Sequence, residues 1–136
     1  MDAKTLWFQP YTLGIDEIDD QHRILFHYIE ELEQGVVQGD RWVVVHHTLV
    51  ALADWAKVHF AVEESVMRIF AYPGLDEHVR SHRRFDDKLR ALQEQSLTAD
   101  IASETATFLR DWLAQHIMVE DRAYAEAFIA KGLTLA

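Results

Sequence analysis

The fold of this chain is decided by residues 45–70, VHHTLVALADWAKVHFAVEESVMRIF. Apolar residues recur there at alternating intervals of four and three, which is the spacing of one face of an α-helix. The residues on this face are Val45, Leu49, Leu52, Ala56, His59, Glu63, Val66 and Phe70. Two of them, His59 and Glu63, are polar. The pattern therefore predicts a long helix whose buried face carries an imidazole and a carboxylate.

Three further segments show the same helical spacing, and short breakers such as Pro73–Gly74 separate them. The predicted helices span about 16–37, 40–70, 75–95 and 99–118. An arm of about residues 1–17 precedes them, and residues 123–131 are predicted to form a short C-terminal helix. Because the connections are short, the pattern favours an all-α, antiparallel up-down-up-down four-helix bundle, with a single domain over 1–136. The apolar arm residues expected to pack on the bundle are Leu6, Trp7, Phe8 and Tyr11.

Composition and charge narrow the functional classes. The chain has 136 residues, a formal net charge of −10 and no cysteine. The acidic balance argues against nucleic acid or an anionic membrane surface as a partner, and the lack of cysteine excludes disulfides and thiolate metal sites. The sequence contains no long uncharged apolar run, so membrane insertion is not expected. The first residues lack the basic-then-apolar layout of a signal peptide. We therefore expect a cytoplasmic protein.

Five of the eight histidines occupy helical positions where a bundle normally has leucine. These five are His22, His59, His78, His82 and His116, and two carboxylates, Glu63 and Asp121, accompany them. Burying such groups without partners costs on the order of several kcal/mol. When the helices are folded at their turns, all seven residues come near one level of the bundle, so a shared metal centre is the partner we predict. The histidines expected to point outward as non-ligands are His27, His46 and His47.

The spacing within each helix also suits metal ligands. The i,i+4 pairs, whose members can face one centre, are His59/Glu63 and His78/His82. His116 and Asp121 are five residues apart, so the backbone must unwind or turn near residues 118–120 to bring both inward. Seven sulfur-free ligands exceed the needs of one tetrahedral zinc and suit two six-coordinate ions that share carboxylates. Iron or manganese fits these ligands, and zinc or copper fits them less specifically.

Four short motifs, in their order and separation, resemble the bacterial hemerythrins. The motifs are Asp19-Asp20-Gln21-His22, His59-Phe60-Ala61-Val62-Glu63-Glu64, His78-Val79-Arg80-Ser81-His82 and Asp111-Trp112-Leu113-Ala114-Gln115-His116-Ile117, followed by Asp121. The resemblance runs from about Trp7 to Tyr124, and every ligand position of the family carries the expected residue type. One departure is that some members have proline just after the fourth-helix histidine, where this chain has Ile117.

The resemblance implies a non-haem centre of two iron ions that binds dioxygen reversibly. In that arrangement one iron is completed by His78, His82 and His116, and the other, with one position open, is held by His22 and His59. The bridges between the irons are then Glu63, Asp121 and an oxo or hydroxo group. Four apolar residues are assigned to the oxygen pocket, and their primary expected role is to pack in the core. They are Phe60, Trp112, Leu113 and Ile117.

The function implied by the resemblance is storage, delivery or buffering of dioxygen, without enzymatic turnover beyond a weak peroxidase side activity. Two alternatives stay open. The first is a sensor module whose oxygen or redox state is read by a partner, and the second is a di-iron peroxidase or oxidase. Ferritin-like oxidases use Glu-x-x-His pairs on two helices with further core glutamates. Only Asp19-x-x-His22 is close to that pattern here, which favours the oxygen-binding role.

Overall fold

The chain folds as an antiparallel bundle of four long helices followed by a shorter fifth helix. A computed structural model describes residues 9–39, 42–97 and 99–135, apart from the side chain of residue 42. The helices are α1 (Asp16–Gln38), α2 (Trp42–Ile69), α3 (Leu75–Gln95), α4 (Ala102–Gln115) and α5 (Arg122–Ala130), and a π-helical turn (His116–Asp121) joins the last two. Helix α1 packs against α2 and α4, and α2 also packs against α3. The predicted all-α four-helix bundle is confirmed.

The core lies along the bundle axis and is built from one face of each helix. On α2, Leu49, Leu52 and Ala56 are at most 1% exposed, as the spacing of the apolar residues predicts. Full burial of a leucine contributes roughly 1.5–3 kcal/mol, so this face holds α2 in one rotational setting. That setting carries His59 and Glu63, one and two turns further along, into the interior. Within the described ranges, no helix combines the length and apolar character needed to cross a membrane.

The turns between helices follow from local backbone chemistry. Gly39 ends α1 in the left-handed conformation (φ 68°), and its N–H bonds back to the carbonyls of Gly35 and Val36. Glycine adopts this conformation without strain because it has no Cβ. The α2–α3 connection, residues 70–74, is also short. Short reversals of this kind keep successive helices antiparallel and adjacent.

The segment before α1 is fastened to the bundle by a buried carboxylate. Asp19 is 2% exposed and accepts hydrogen bonds from the backbone N–H groups of Leu13 (2.9 Å) and Gly14 (3.2 Å). Tyr11 stacks on Phe26 with ring centroids 4.7 Å apart. This part of the arm therefore packs on the bundle as expected. The other arm residues with that expectation, Leu6, Trp7 and Phe8, lie outside the described residues.

The fourth helix ends about three residues earlier than predicted, and the predicted break near residues 118–120 lies within the turn that follows it. Continuous α-helix was expected over about 99–118, but α-helical geometry begins at Ala102 and ends at Gln115. The backbone then widens through the π-helical turn before α5 begins at Arg122. A plain α-helix would carry residues 116 and 121 about 140° apart around the axis, so the apolar spacing alone does not reveal where the helix must change. The change is set by the site residues described next.

Candidate metal centre

Three helices, α1 to α3, and the π-helical turn after α4 bring seven predicted residues together near one end of the bundle. Each of the seven is at most 3% exposed. Their ligand atoms form two overlapping groups, and within each group all these atoms lie within 4.8 Å of one another. The three-histidine group consists of Glu63, His78, His82, His116 and Asp121. The two-histidine group consists of His22, His59, Glu63 and Asp121.

The π-helical turn solves the spacing problem between His116 and Asp121. Its hydrogen bonds run between residues five apart, as between the Arg122 N–H and the Ile117 carbonyl. Residues five positions apart therefore return to the same side of the helix, and both side chains point inward. The carboxylate of Asp121 lies 3.1 Å from the Nε2 atom of His116. The turn achieves this without a proline in its sequence.

The two carboxylates, Glu63 and Asp121, belong to both groups. Asp121 places Oδ2 3.2 Å from His22 Nε2 and Oδ1 2.8 Å from His78 Nε2. Glu63 places Oε1 3.1 Å from His59 Nε2 and 3.5 Å from His82 Nε2. Each carboxylate thus contacts histidines of both groups. This is the disposition that two ions sharing carboxylates need.

Several of these buried atoms lack hydrogen bonds. Within the described ranges, no hydrogen bond is made by either ring nitrogen of His22, by His78 Nε2, by Glu63 Oε1 or by either oxygen of Asp121, although ion-pair distances join several of these atoms. In addition, the Nε2 atoms of two histidines, His82 and His116, face each other at 3.2 Å. An unsatisfied buried polar atom costs about 1–3 kcal/mol. Cations among these lone pairs would satisfy them together, so the residues fit a pair of metal ions.

A ring of outer partners orients the imidazoles. The Nδ1–H of His59 donates to Gln21 Oε1 (2.7 Å), and that of His82 donates to Glu64 Oε2 (2.8 Å). On His116, Nδ1 lies 3.3 Å from Ser81 Oγ and 3.2 Å from Glu120 Oε2. A proton held on Nδ1 leaves the Nε2 lone pair directed at the centre. The sequence reading missed these outer roles, although Gln21, Glu64 and Ser81 stand inside its motifs.

Tyr124 is a further residue that the sequence reading did not assign to the site. Its hydroxyl donates a 2.5 Å hydrogen bond to Glu63 Oε2, and the side chain is fully buried. Burial and the charges of Glu63 and Asp121 raise the pKa of Tyr124 well above its ordinary value. The tyrosine is therefore a neutral donor that fixes one oxygen of Glu63. Its position three residues after Asp121, on the inward face of α5, is the signal that could have identified it.

The carboxylates also hold protons on the metal-free cluster. Burial lowers the pKa of His22, but Asp121 and Glu63 outweigh burial and raise that pKa to about 9. Burial likewise opposes protonation of His116, yet Asp121 and Glu120 raise its pKa to about 10. Burial raises the pKa of Glu63, but His59 and the other surrounding imidazoles lower it well below the ordinary range. The cluster thus attracts positive charge, which is what a cation site requires.

The four residues predicted to line an oxygen pocket are all near the cluster or in the adjoining core. Phe60 stacks on His82 with ring centroids 3.9 Å apart, and Trp112 stacks on His116 at 4.5 Å. Leu113 and Ile117 are at most 1% exposed. Both aromatic contacts are with the three-histidine group. The two aromatic side chains therefore shield that group, and contact of any of the four residues with bound oxygen stays a prediction.

The three remaining histidines take no part in the cluster. His27 and His47 are exposed, as expected, and His27 Nε2 pairs with Glu31 at 2.9 Å. The expectation that His46 points outward is wrong. Its side chain is half-buried, and Nδ1 lies 2.7 Å from Ser96 Oγ. The α3–α4 connection covers this face of α2, which the spacing within α2 could not reveal.

Comparison with known proteins agrees with this geometry. The family model described as the Hemerythrin HHE cation binding domain matches residues 13–128. The bacteriohemerythrin of Stenotrophomonas maltophilia (strain R551-3) is 31% identical over 91% of this chain and 81% of its own length. The myohemerythrin of Riftia pachyptila is 30% identical over 88% of this chain and 89% of its own length.

A solved structure of hemerythrin has the same fold as this chain. A crystal structure of wild-type hemerythrin superimposes with a TM-score of 0.78 and 28% identity, covering 84% of this chain and 88% of that one. The family match spans all seven clustered residues, and the shared architecture is the one that brings them together. The chain therefore belongs to the hemerythrin family of cation-binding proteins.

Proposed function

We propose that this protein holds two iron ions in the buried cluster and uses them to bind dioxygen reversibly, as a store, carrier or buffer of oxygen. The observation that carries the proposal is the division of the cluster into a three-histidine and a two-histidine group that share both carboxylates. Histidine and carboxylate ligands without sulfur suit iron. The names of the relatives, bacteriohemerythrin and myohemerythrin, support the same choice.

The unequal ligand sets provide a place for oxygen. The three-histidine group offers five side chains and the two-histidine group offers four. If the two ions share one coordination number, the ion held by His22 and His59 keeps one more position free for a small molecule. When bound, two ferrous ions supply the two electrons that dioxygen takes up on binding and returns on release.

The protein's part is to hold, orient and shield this pair. Tyr124 fixes one oxygen of Glu63 by its short hydrogen bond, and Gln21 and Glu64 fix the rings of His59 and His82. Phe60 stacks on His82 and excludes water from that side of the cluster. A dry, hydrogen-bonded site would keep water and protons away from a bound metal pair and so disfavour its irreversible oxidation.

The ligand composition also bears on the alternative of a di-iron oxidase. Carboxylate-rich di-iron enzymes use four inward glutamates with two histidines, whereas this cluster contains two carboxylates and five histidines. Fewer anionic ligands stabilise the ferrous state and disfavour cleavage of the O–O bond. We therefore propose a binding protein in preference to an enzyme. The cytoplasmic location expected from the sequence stays a prediction.

The test is metal analysis combined with visible spectra of the protein loaded with ferrous iron under argon and then exposed to air. The expected result is two irons per chain and a colour that appears in air and disappears on deoxygenation. His59→Ala, in the two-histidine group, is expected to lose the reversible colour, and the exposed His27→Ala is expected to keep it. One metal ion per chain, or a colour change that never reverses, would overturn the proposal.

A further inference from the structure

The outer partners of the two histidine groups differ in charge. In the three-histidine group, His82 donates through Nδ1 to the carboxylate of Glu64 at 2.8 Å, and Glu120 places a carboxylate oxygen 3.2 Å from Nδ1 of His116. Both contacts are at least partly screened from water, because the Glu64 side chain is 24% exposed and that of Glu120 is 39% exposed. Two anionic partners therefore act on one group.

Among the residues that the structure describes, no carboxylate takes the corresponding place behind the two-histidine group. His59 donates through Nδ1 to the neutral amide of Gln21 at 2.7 Å. Nδ1 of His22 is fully buried and makes no hydrogen bond to any part of the chain that the structure describes. The difference is therefore one of charge, with two anions behind one group and a single amide behind the other.

The local folding explains how each anion reaches its histidine. Glu64 directly follows the cluster residue Glu63 on α2, and its side chain crosses to α3 to meet His82. Glu120 directly precedes Asp121 in the π-helical turn. The turn thus supplies an inner carboxylate to the centre and an outer carboxylate to His116. In both cases neighbouring acidic residues serve opposite sides of an imidazole ring.

Outer hydrogen bonds of this kind change what an imidazole donates to a metal. A carboxylate that accepts the Nδ1 proton makes the ring a stronger donor, and such partners alter metal affinity about 10–100-fold. A stronger donor stabilises the higher oxidation state of the bound ion. An amide acceptor orients the ring without adding negative charge.

We propose that Glu64 and Glu120 make the three-histidine position the electron-richer of the two, so that its ion is the easier one to oxidise. Gln21 keeps the two-histidine position less electron-rich, which leaves that ion a stronger Lewis acid where the free position lies. This inference rests on the proposed function, because it assumes that both positions hold iron. The three residues are positioning residues that act through His82, His116 and His59.

The test is a spectroelectrochemical titration of the iron-loaded full chain, which follows the two one-electron steps separately. Glu64→Gln and Glu120→Gln keep the size of the side chain and remove its charge. Each variant is expected to make the first one-electron oxidation harder. At a fixed potential the ratio of oxidised to reduced iron in that step should fall about tenfold, which is equivalent to a rise of about 59 mV in its midpoint potential. Gln21→Glu is expected to shift the harder step in the opposite direction.

Glu77→Gln is the matched control, because Glu77 is an exposed glutamate of α3 that pairs with Arg80 and Arg84. It is expected to leave both steps unchanged. Helical circular dichroism and iron content of each variant show that a shift does not come from misfolding. If the wild type holds two irons and the Glu64, Glu120 and Gln21 variants all have the wild-type midpoint potentials for both one-electron steps, the inference is wrong and the proposed function stands. A wild type that does not hold two irons overturns both.

Discussion

Removal of the metal ions should destabilise the folded protein strongly. Without a cation, six buried atoms of the cluster make no hydrogen bond to the described residues: Nδ1 and Nε2 of His22, Oε1 of Glu63, Nε2 of His78, and both oxygens of Asp121. At about 1 kcal/mol each, the lower end of the cost of such an atom, the total is about 6 kcal/mol. A typical domain has a free energy of unfolding of only about 5–15 kcal/mol.

Part of this cost is offset in the metal-free protein. His22 Nε2 lies 3.2 Å from Asp121 Oδ2, and His78 Nε2 lies 2.8 Å from Asp121 Oδ1, so these contacts replace part of the missing hydrogen bonding. If these contacts offset half of the cost, metal binding should raise the free energy of unfolding by about 3 kcal/mol. For a chain of this size, that corresponds to about 10 °C in melting temperature. Zinc gives the same stabilisation without redox chemistry, since any cation that binds only the folded state shifts the equilibrium.

The assay is thermal unfolding by circular dichroism at 222 nm, with chelator-treated protein compared with iron-loaded and zinc-loaded protein. His59→Ala should lose most of the metal-dependent gain, whereas the exposed His27→Ala should keep all of it. Metal-free and metal-loaded wild type that melt within about 2 °C of each other would contradict this expectation. An equal metal-dependent gain in His59→Ala would contradict it as well.

Three further predictions concern single residues. Glu63→Gln should reduce bound iron from two ions to at most one by metal analysis, because a shared anionic ligand is lost; two tightly held irons would contradict the shared role. Tyr124→Phe should lower the free energy of unfolding of the metal-free protein by about 1.5–3 kcal/mol in urea, since Glu63 loses a buried donor, and an unchanged midpoint would rule this out. Asp19→Ala should cost about 1–3 kcal/mol in the same assay and speed proteolysis before Ile15, because two backbone N–H groups lose their acceptor; equal proteolysis of variant and wild type would count against that anchoring role.

Most of the fold was predictable because helical spacing is a local property. The buried face of α2 follows directly from intervals of four and three, and the observed burial of Leu49, Leu52 and Ala56 agrees with it. The convergence of the cluster residues at one level followed from helix rise and turn positions. The need for a break near residues 118–120 also followed, because residues five apart on an α-helix do not share a face.

The form of that break was not predictable in the same way. A π-helical turn leaves no residue signature comparable to proline or glycine, and only the demand that Asp121 point inward identifies it. The outer hydrogen-bond partners of the histidines could not be predicted for a related reason. Glu64 reaches from α2 to α3, and Gln21 reaches from α1 to α2, so their contacts depend on how helices face one another. The half-buried position of His46 depends in the same way on the α3–α4 connection.

The central claim is that the cluster binds dioxygen and returns it unchanged. The most direct measurement is oxygen uptake and release by the ferrous-loaded protein in a sealed cell, followed with an oxygen electrode through repeated cycles of aeration and deoxygenation. We predict that one dioxygen is taken up for every two irons and that the same amount is recovered as free dioxygen in each cycle. Uptake without recovery, with hydrogen peroxide or water as the product, would contradict the account.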